Sequence, residues 1–405
     1  MTAAPRVAYL LPDPGIPVGG TKGASVHVES LCCAMARRGA RVSLYAAKVV
    51  GPLRAAGAAG VRVVPVDAGA VASGTAGEPS RIAASHRFFD AVGRHLDADP
   101  PHWVHERLTL FAGQGTELCS SRGLARVVEV DAPVAAERAR HFGLERTAEA
   151  ELAEHRALDG ARVLAVSEPL ARWAVARGAV EAVVVPNGAE TAALDPSRWA
   201  PRGHQLRAET GLEGRVVVGF AGSLKPWHGV ELLVDAVAGT GRVLGRRLGL
   251  LVVGDGPLRS RLEWATRRLA GDVDAVLTGA VPFAEMPGYL AAMDVCAAPY
   301  LPSEDFYFSP LKVAEAMAAG RVVVASDFAP VRQLLAGTGE LFPPGDAGAL
   351  RDLLVGLATS PARRAELGSR ARRSAVERLD WEAVARRTMA FAAVPVRPEP
   401  APTCS

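Results

Sequence analysis

At 405 residues and 42.3 kDa the chain exceeds one ordinary domain and suits two. Hydrophobic residues at 49% and charged residues at 22% supply a large core and exclude wholesale disorder. A net charge of +3 without a basic run argues against a nucleic-acid surface or a polybasic membrane anchor. No apolar stretch reaches membrane-span length, and the apolar run of the N-terminal MTAAPRVAYLLPDPG is too short for a signal peptide. Five cysteines, odd in number and without metal-type spacing, read as a reducing compartment. The expectation is a cytoplasmic protein with no nucleic-acid partner and no stable membrane insertion.

Short Val/Leu-rich runs alternate with longer amphipathic stretches from end to end. In chain order the predicted strands are Arg6–Leu11, Arg41–Ala46, Val61–Val66, Trp103–Glu106, Arg126–Val130, Arg162–Val166 and Ala182–Val185. They continue with Arg215–Ala221, Leu248–Gly254, Ala275–Thr278, Val295–Pro299 and Arg321–Ala325. Continuous apolar runs bounded by Gly, Pro and Asp are what strands covered on both faces look like. Strand–helix alternation then predicts an α/β protein of two doubly wound, Rossmann-like domains facing across a cleft. The strand pattern lapses over 191–213, which reads as a linker. That leaves an N-terminal domain over 1–190 and a C-terminal domain over 214–378. A final helix over 379–393 and a Pro-rich, disordered tail over 394–405 complete the expectation.

Three segments carry chemistry. In Phe306–Gly320, FYFSPLKVAEAMAAG, Ser309 suits a helix N-cap and Pro310 the first helical position. The free N–H groups of that helix would receive a diphosphate, Lys312 would add a point charge, and Glu315 would accept two hydrogen bonds from vicinal hydroxyls such as a ribose. In Phe220–Val230, FAGSLKPWHGV, the small residues Gly222 and Ser223 let a ligand approach the backbone, where Lys225 and His228 can contact a phosphate. In Gly19–Val28, GGTKGASVHV, a glycine-rich loop opens a helix and could cradle phosphate from across the cleft. Each segment alone also fits a bland alternative: a capped helix with solvated Glu and Lys, an exposed turn, or a simple glycine turn. The chain has only four lysines, however, and Lys22, Lys225 and Lys312 all fall in these segments.

Other patterns carry less. VVGDGP, Val252–Pro257, lacks the third glycine of a dinucleotide fingerprint because Arg259 stands there, so it reads as a strand-to-helix turn. Asp97 with Asp99, and Asp272 with Asp274, mimic metal-binding pairs, yet neither pair has a third carboxylate nearby. No metal and no cofactor are expected.

Taken together, FAGSLKPWHGV, VGDGP and FYFSPLKVAEAMAAG resemble the retaining glycosyltransferases of family 4, which have the GT-B fold. The resemblance extends to about residue 390, with further matches in Leu164–Ala179, Val184–Glu190 and Leu341–Asp346. The Pro-Asn-Gly turn contains Asn187, the chain's single asparagine, read as a turn residue tolerant of left-handed geometry. What the resemblance implies is residue-specific. The ribose-binding glutamate falls on Glu315, and the basic pair beneath the diphosphate is similar to Lys225 and His228. The glycine loop falls on Gly19, Gly20 and Gly23, with Lys22, Ser25 and His27 toward the acceptor side and the reaction centre. Backbone amides gripping the donor sugar fall around Phe308, Ser309 and Leu311. Two positions depart from the pattern: Tyr307 stands where the first glutamate of Glu-x7-Glu belongs, and Asp131 where many members have a histidine. A branch with the Phe-Tyr-Phe-Ser-Pro-Leu-Lys segment shares both changes and a pair like Glu106-Arg107, which joins the acceptor-side candidates.

The resemblance implies transfer of a sugar from a nucleotide diphosphate sugar to an acceptor hydroxyl with retention, by front-side attack. A UDP-sugar is the first expectation for the donor and a GDP-sugar the second; the nucleotide-sugar is a substrate, not a cofactor. Lys225, His228 and Asp131 are the expected catalytic residues. Gly20, Gly23, Ser223, Ser309, Leu311, Lys312 and Glu315 complete the donor site. A small polar acceptor is preferred over an envelope polysaccharide, since no basic amphipathic N-terminal helix is seen. A silent nucleotide-sugar-binding subunit is the alternative that the two departures motivate. A nucleotide-sugar epimerase is disfavoured for want of acid–base groups.

Overall fold

The computed structural model describes residues 4–53, 60–71 and 77–393. The chain divides into two units, the first running to Pro186 and resuming at Glu382, the second spanning Asn187–Trp381. The expected tail over 394–405, with Cys404, lies outside the described residues.

The first unit is built on a seven-stranded, all-parallel sheet. Its strands are β1 (Arg6–Leu11), β2 (Arg41–Ala46), β3 (Val61–Pro65), β4 (Trp103–Arg107), β5 (Ala125–Val130), β6 (Arg162–Ala165) and β7 (Glu181–Val184). Their spatial order is β3-β2-β1-β4-β5-β6-β7. β3 can end on Pro65 because it is an edge strand, where a missing N–H leaves no ladder bond unmade. The inner strands β1, β4 and β6 are buried almost throughout, since helices cover both faces. The order reverses between β1 and β4, so the loops after these strands open one crevice at the carboxyl edge.

In the second unit six parallel strands follow the same logic: β8 (Val217–Ala221), β9 (Leu248–Val253), β10 (Val273–Gly279), β11 (Val295–Ala298), β12 (Val322–Ser326) and β13 (Glu340–Phe342). Their order is β10-β9-β8-β11-β12-β13, with the reversal between β8 and β11. Apolar side chains fill both faces of this sheet, Val218, Leu250 and Val324 on one side and Val217, Leu251 and Val323 on the other. The two-residue side-chain period sends neighbours to opposite faces.

One expectation about the path of the chain needs correction. The 191–213 stretch is no open linker: it contains the helix Pro196–Glu209, started by Asp195, whose carboxylate accepts from Ser197 N at 2.9 Å. Pro196 suits the first turn, and Pro201 inside the helix is what hid it from a periodicity reading. The final helix, Trp381–Ala392, returns to the first unit from Glu382 onward. There Arg162 donates to the Phe391 carbonyl at 2.8 Å and lies 4.0 Å from the centre of that ring.

Cys32, Cys119 and Cys296 are buried free thiols, and Cys33 is buried as well. Among the described residues no helix is long and apolar enough to cross a membrane.

Candidate functional site

In the second unit the chemistry collects at the reversal point. After β8 the chain runs through Gly222, Ser223 and Leu224, and this loop is fastened to the turn after β9. Gly222 N donates to Val253 O at 2.9 Å, Leu224 N to Asp255 O at 2.9 Å, and Leu258 N to Leu224 O at 3.2 Å. Gly254 makes that approach possible: at φ 135° a Cβ there would stand 1.9 Å from the Gly222 carbonyl oxygen. The VGDGP motif is thus a strand-to-helix turn whose glycines admit the neighbouring loop, and the helix Arg259–Arg268 follows.

The loop ends in the short 3-10 helix Pro226–His228. Gly229, at φ 65°, then turns the chain into the helix Val230–Leu244, and any Cβ at that position would lie 1.8 Å from the Pro299 carbonyl oxygen. His228 Nδ1 is 2.6 Å from the Ser223 carbonyl. A carbonyl only accepts, so Nδ1 carries the hydrogen and Nε2 the lone pair. Burial, then the Lys312 and Lys225 cations, push His228 down to about 3, so the imidazole is neutral. It can serve a phosphate as a cation only after taking up a proton. Lys225 is half-buried, its ammonium 5.8 Å from the Trp227 ring centre.

Lys312 lies on the helix Leu311–Ala318 and reaches the same loop. Its ammonium nitrogen is buried without a hydrogen-bond partner, 4.3 Å from the Phe220 ring centre and 5.3 Å from that of Tyr300. A Cβ on Gly222 would be 3.2 Å from it. Burial brings this lysine down to about 7, with Glu315, one turn along the helix, pulling the other way. Glu315 is half-buried.

The start of that helix differs from expectation. The N-cap is Pro310 rather than Ser309, and no side chain caps it. Ser309 instead meets Asn187: Asn187 N donates to Ser309 Oγ at 3.0 Å, and Asn187 Nδ2 to the Ser309 carbonyl at 2.6 Å. Asn187 does not adopt a positive φ, so its value is this paired bond and not a left-handed turn. Tyr307 is buried, its ring centre 4.4 Å from that of Phe308.

In the first unit the glycine loop is anchored by Glu29, which accepts from Gly19 N at 2.7 Å. Lys22, which precedes the helix Gly23–Arg37, donates to Gly15 O at 3.1 Å and is exposed. Gly20 sits against Ser25: a Cβ on it would be 2.8 Å from the Ser25 hydroxyl, which is buried.

Deeper in, His27, Arg107 and Asp131 do come together, around a residue that sequence reasoning missed. Glu129 receives the Tyr9 hydroxyl at 2.9 Å and His105 Nε2 at 2.7 Å on one oxygen. Its other oxygen meets Arg107 at 2.8 Å and His27 Nε2 at 2.7 Å. Strand register builds this hub, because Tyr9 lies opposite His105 and Arg107 opposite Glu129. The same Arg107 nitrogen lies 2.9 Å from Asp131. Burial opposes charge on Glu129, but His27, His105 and Arg107 together hold its carboxyl well below the usual range. Burial also pulls His27 down, yet Glu129 and Asp131 outweigh it and leave His27 raised. A Glu inside an apolar strand run was the available signal, and its two-residue spacing from Asp131 puts both on one face.

Glu106 is not part of this hub. As the neighbour of Arg107 on β4 it points to the opposite face, where it pairs with Arg126 at 2.7 Å. His27, Glu129 and Asp131 present metal-type ligand atoms within 4.8 Å of one another. The cation in their midst is the Arg107 guanidinium. The Asp-x-Asp pairs are likewise taken by arginines, Asp97 by Arg122 at 2.7 Å and Asp274 by Arg247 and Arg215 at 2.8 Å.

Against known proteins, the chain is 33% identical over 229 residues to a phosphatidyl-myo-inositol mannosyltransferase of Mycobacterium leprae, covering 56% of this chain and 57% of that one. It is 39% identical over 139 residues to a 2-deoxystreptamine glucosyltransferase of Streptomyces kanamyceticus, covering 33% and 34%. The chain thus spans about half the length, or less, of the curated relatives it matches. The Anabaena protein HepE, solved in complex with UDP, superposes with a TM-score of 0.70 at 20% identity over 95% of this chain and 98% of that one. The fold is therefore that of two Rossmann-like domains shared with GT-B glycosyltransferases. Residues 215–360 match the model of the family Glycosyl transferases group 1.

Proposed function

We propose that the chain is a retaining glycosyltransferase that moves a sugar from a nucleotide diphosphate sugar to an acceptor hydroxyl in the cytoplasm. The observation that carries this reading is the buried Lys312 ammonium, which lacks a hydrogen-bond partner beside the Gly222–His228 loop and the first turn of the helix Leu311–Ala318. An unpaired buried cation is costly, and a diphosphate resting on the free amides of that turn would pair it.

In the reaction the bond from the anomeric carbon to the diphosphate oxygen breaks, and both electrons leave with the oxygen. The acceptor oxygen bonds the anomeric carbon on the same face, and its proton passes to the departing diphosphate. Lys312 and Lys225 oppose the charge that grows on the leaving group, and Glu315 accepts from the ribose hydroxyls. Asp131 serves the acceptor side. A UDP-sugar is the preferred donor, in keeping with UDP in HepE, and a GDP-sugar the second choice. A small polar acceptor is preferred, in keeping with the aminocyclitol named for the Streptomyces relative. Transfer in cell-envelope polysaccharide synthesis is the other reading of the acceptor.

The test is release of free nucleotide from UDP- and GDP-sugars across acceptor panels, before and after exhaustive chelation at matched salt. Acceptor-dependent release that survives chelation is expected, because lysines and helix amides stand where a metal would neutralise the diphosphate. Donor binding with no turnover on any acceptor would instead mean a silent binding subunit. Activity lost on chelation and restored by magnesium would overturn the metal-free reading.

A further inference from the structure

Glu129 and Asp131 are two carboxyl groups on one face of one strand end, sharing one guanidinium nitrogen at 2.8 and 2.9 Å. Their surroundings are unequal. Glu129 accepts from three donors, Tyr9 on β1 and His105 and Arg107 on β4, and lies 2.7 Å from His27 Nε2 on the helix Gly23–Arg37. Its side chain is 4% exposed, whereas that of Asp131 is 18% exposed and is the most open of the charged groups in the hub. Two like charges this close resist simultaneous ionisation, and the one with more hydrogen bonds to its charged form ionises first. Three hydrogen bonds to Glu129, against the Arg107 ion pair at Asp131, decide the order in favour of Glu129. A proton held by the pair therefore resides on Asp131, the member that an acceptor could reach.

We propose that Glu129 is a positioning residue for the transfer, one that through the shared Arg107 nitrogen governs when the open Asp131 carboxyl is ionised and can accept a hydrogen bond from the incoming hydroxyl. This rests on the transferase reading above. Asp131 exchanges no bond with substrate; it orients the hydroxyl, and the proton still leaves with the diphosphate. Burial pushes Asp131 up, Arg107 pulls it back, and Glu129 pushes it up again, to about 6. Below that pH Asp131 becomes a donor and the incoming hydroxyl loses its acceptor. Removing the Glu129 charge frees Arg107 and His27 to act on Asp131 alone, so its proton should leave at lower pH.

The test is a carboxyl carbon-13 NMR titration of the full chain, run beside the pH profile of kcat/KM for transfer. A carboxyl titrating near pH 6 is expected, absent in Asp131→Asn. In Glu129→Gln it should move at least one pH unit toward the ordinary aspartate value of about 3.9. The acid limb of kcat/KM should follow both changes, which a purely structural role for Glu129 would not produce. If Glu129→Gln does not fold, Tyr9→Phe reads the same coupling. It removes one neutral donor from Glu129, draws the proton toward that residue, and lowers the Asp131 midpoint. A midpoint that stays near 6 in the foldable variant, or survives in Asp131→Asn, overturns the proposal. The NMR readout needs no turnover, so a chain that titrates as described but transfers nothing fails the transferase reading and not the carboxyl pairing.

Discussion

Lys312 shows how much a single side chain depends on its surroundings. On the page of the sequence it is one of four lysines in an arginine-rich chain, and its rarity marked it. What rarity could not reveal is that its nitrogen would be buried between two aromatic rings, with no oxygen to bond. Such a lysine sheds its proton near pH 7, far below its ordinary value. A diphosphate restores the ammonium, so nucleotide-sugar binding should take up a proton above pH 7. The sign follows directly: affinity is full below about 7 and falls as pH rises through the Lys312 value, by at most tenfold per pH unit. Calorimetry of a nucleotide-sugar at pH 8, in buffers of different ionisation enthalpy, reads the uptake, and Lys312→Met should abolish it. The Glu129 hub was legible only in part for a related reason. His27, Arg107 and Asp131 could be singled out, but Tyr9, His105 and Glu129 sit inside apolar runs and declare themselves only through strand register.

At the scale of elements, the continuous apolar runs located twelve strands to within two residues at each end. They succeed because strands covered on both faces must be apolar throughout. The strand they miss is Glu340–Phe342, three residues at the sheet edge with too little apolar length to stand out. Helix starts were harder to read. Ser309 looks like a cap by residue type, but its hydroxyl accepts from the Asn187 amide. That pairing fixes the residues leading into the helix Leu311–Ala318. Asn187→Ala should leave the buried Ser309 carbonyl without its side-chain donor and cost about 1–3 kcal/mol. The expected result is a lower Tm together with weaker nucleotide-sugar binding. Unchanged donor affinity would mean that the helix start is held without this bond.

At the scale of the whole molecule, composition and alternation were enough for the two doubly wound units, but not for their boundaries. The chain leaves the first unit at Pro186 and rejoins it at Glu382, a return that no local pattern records. The helix Trp381–Ala392 is held there by Arg37 to Glu382 at 2.5 Å and by Arg162 to the Phe391 carbonyl. Ending the chain after residue 381 should therefore strip hydrogen-exchange protection from β6, where Arg162 begins the strand, and leave β8 to β12 protected. Equal loss in both sheets would contradict this assignment of the helix.

That discontinuity reverses the order of assembly during synthesis. Residues 187–381 are complete, and free to collapse on their own sheet, as soon as the ribosome has extruded them. The unit made first must wait, its β6 flank open, until the helix that closes it emerges after residue 381. The N-terminal half of the chain is thus the later half to finish folding, and the one that a stalled ribosome or a premature stop near residue 381 would leave for a chaperone to hold.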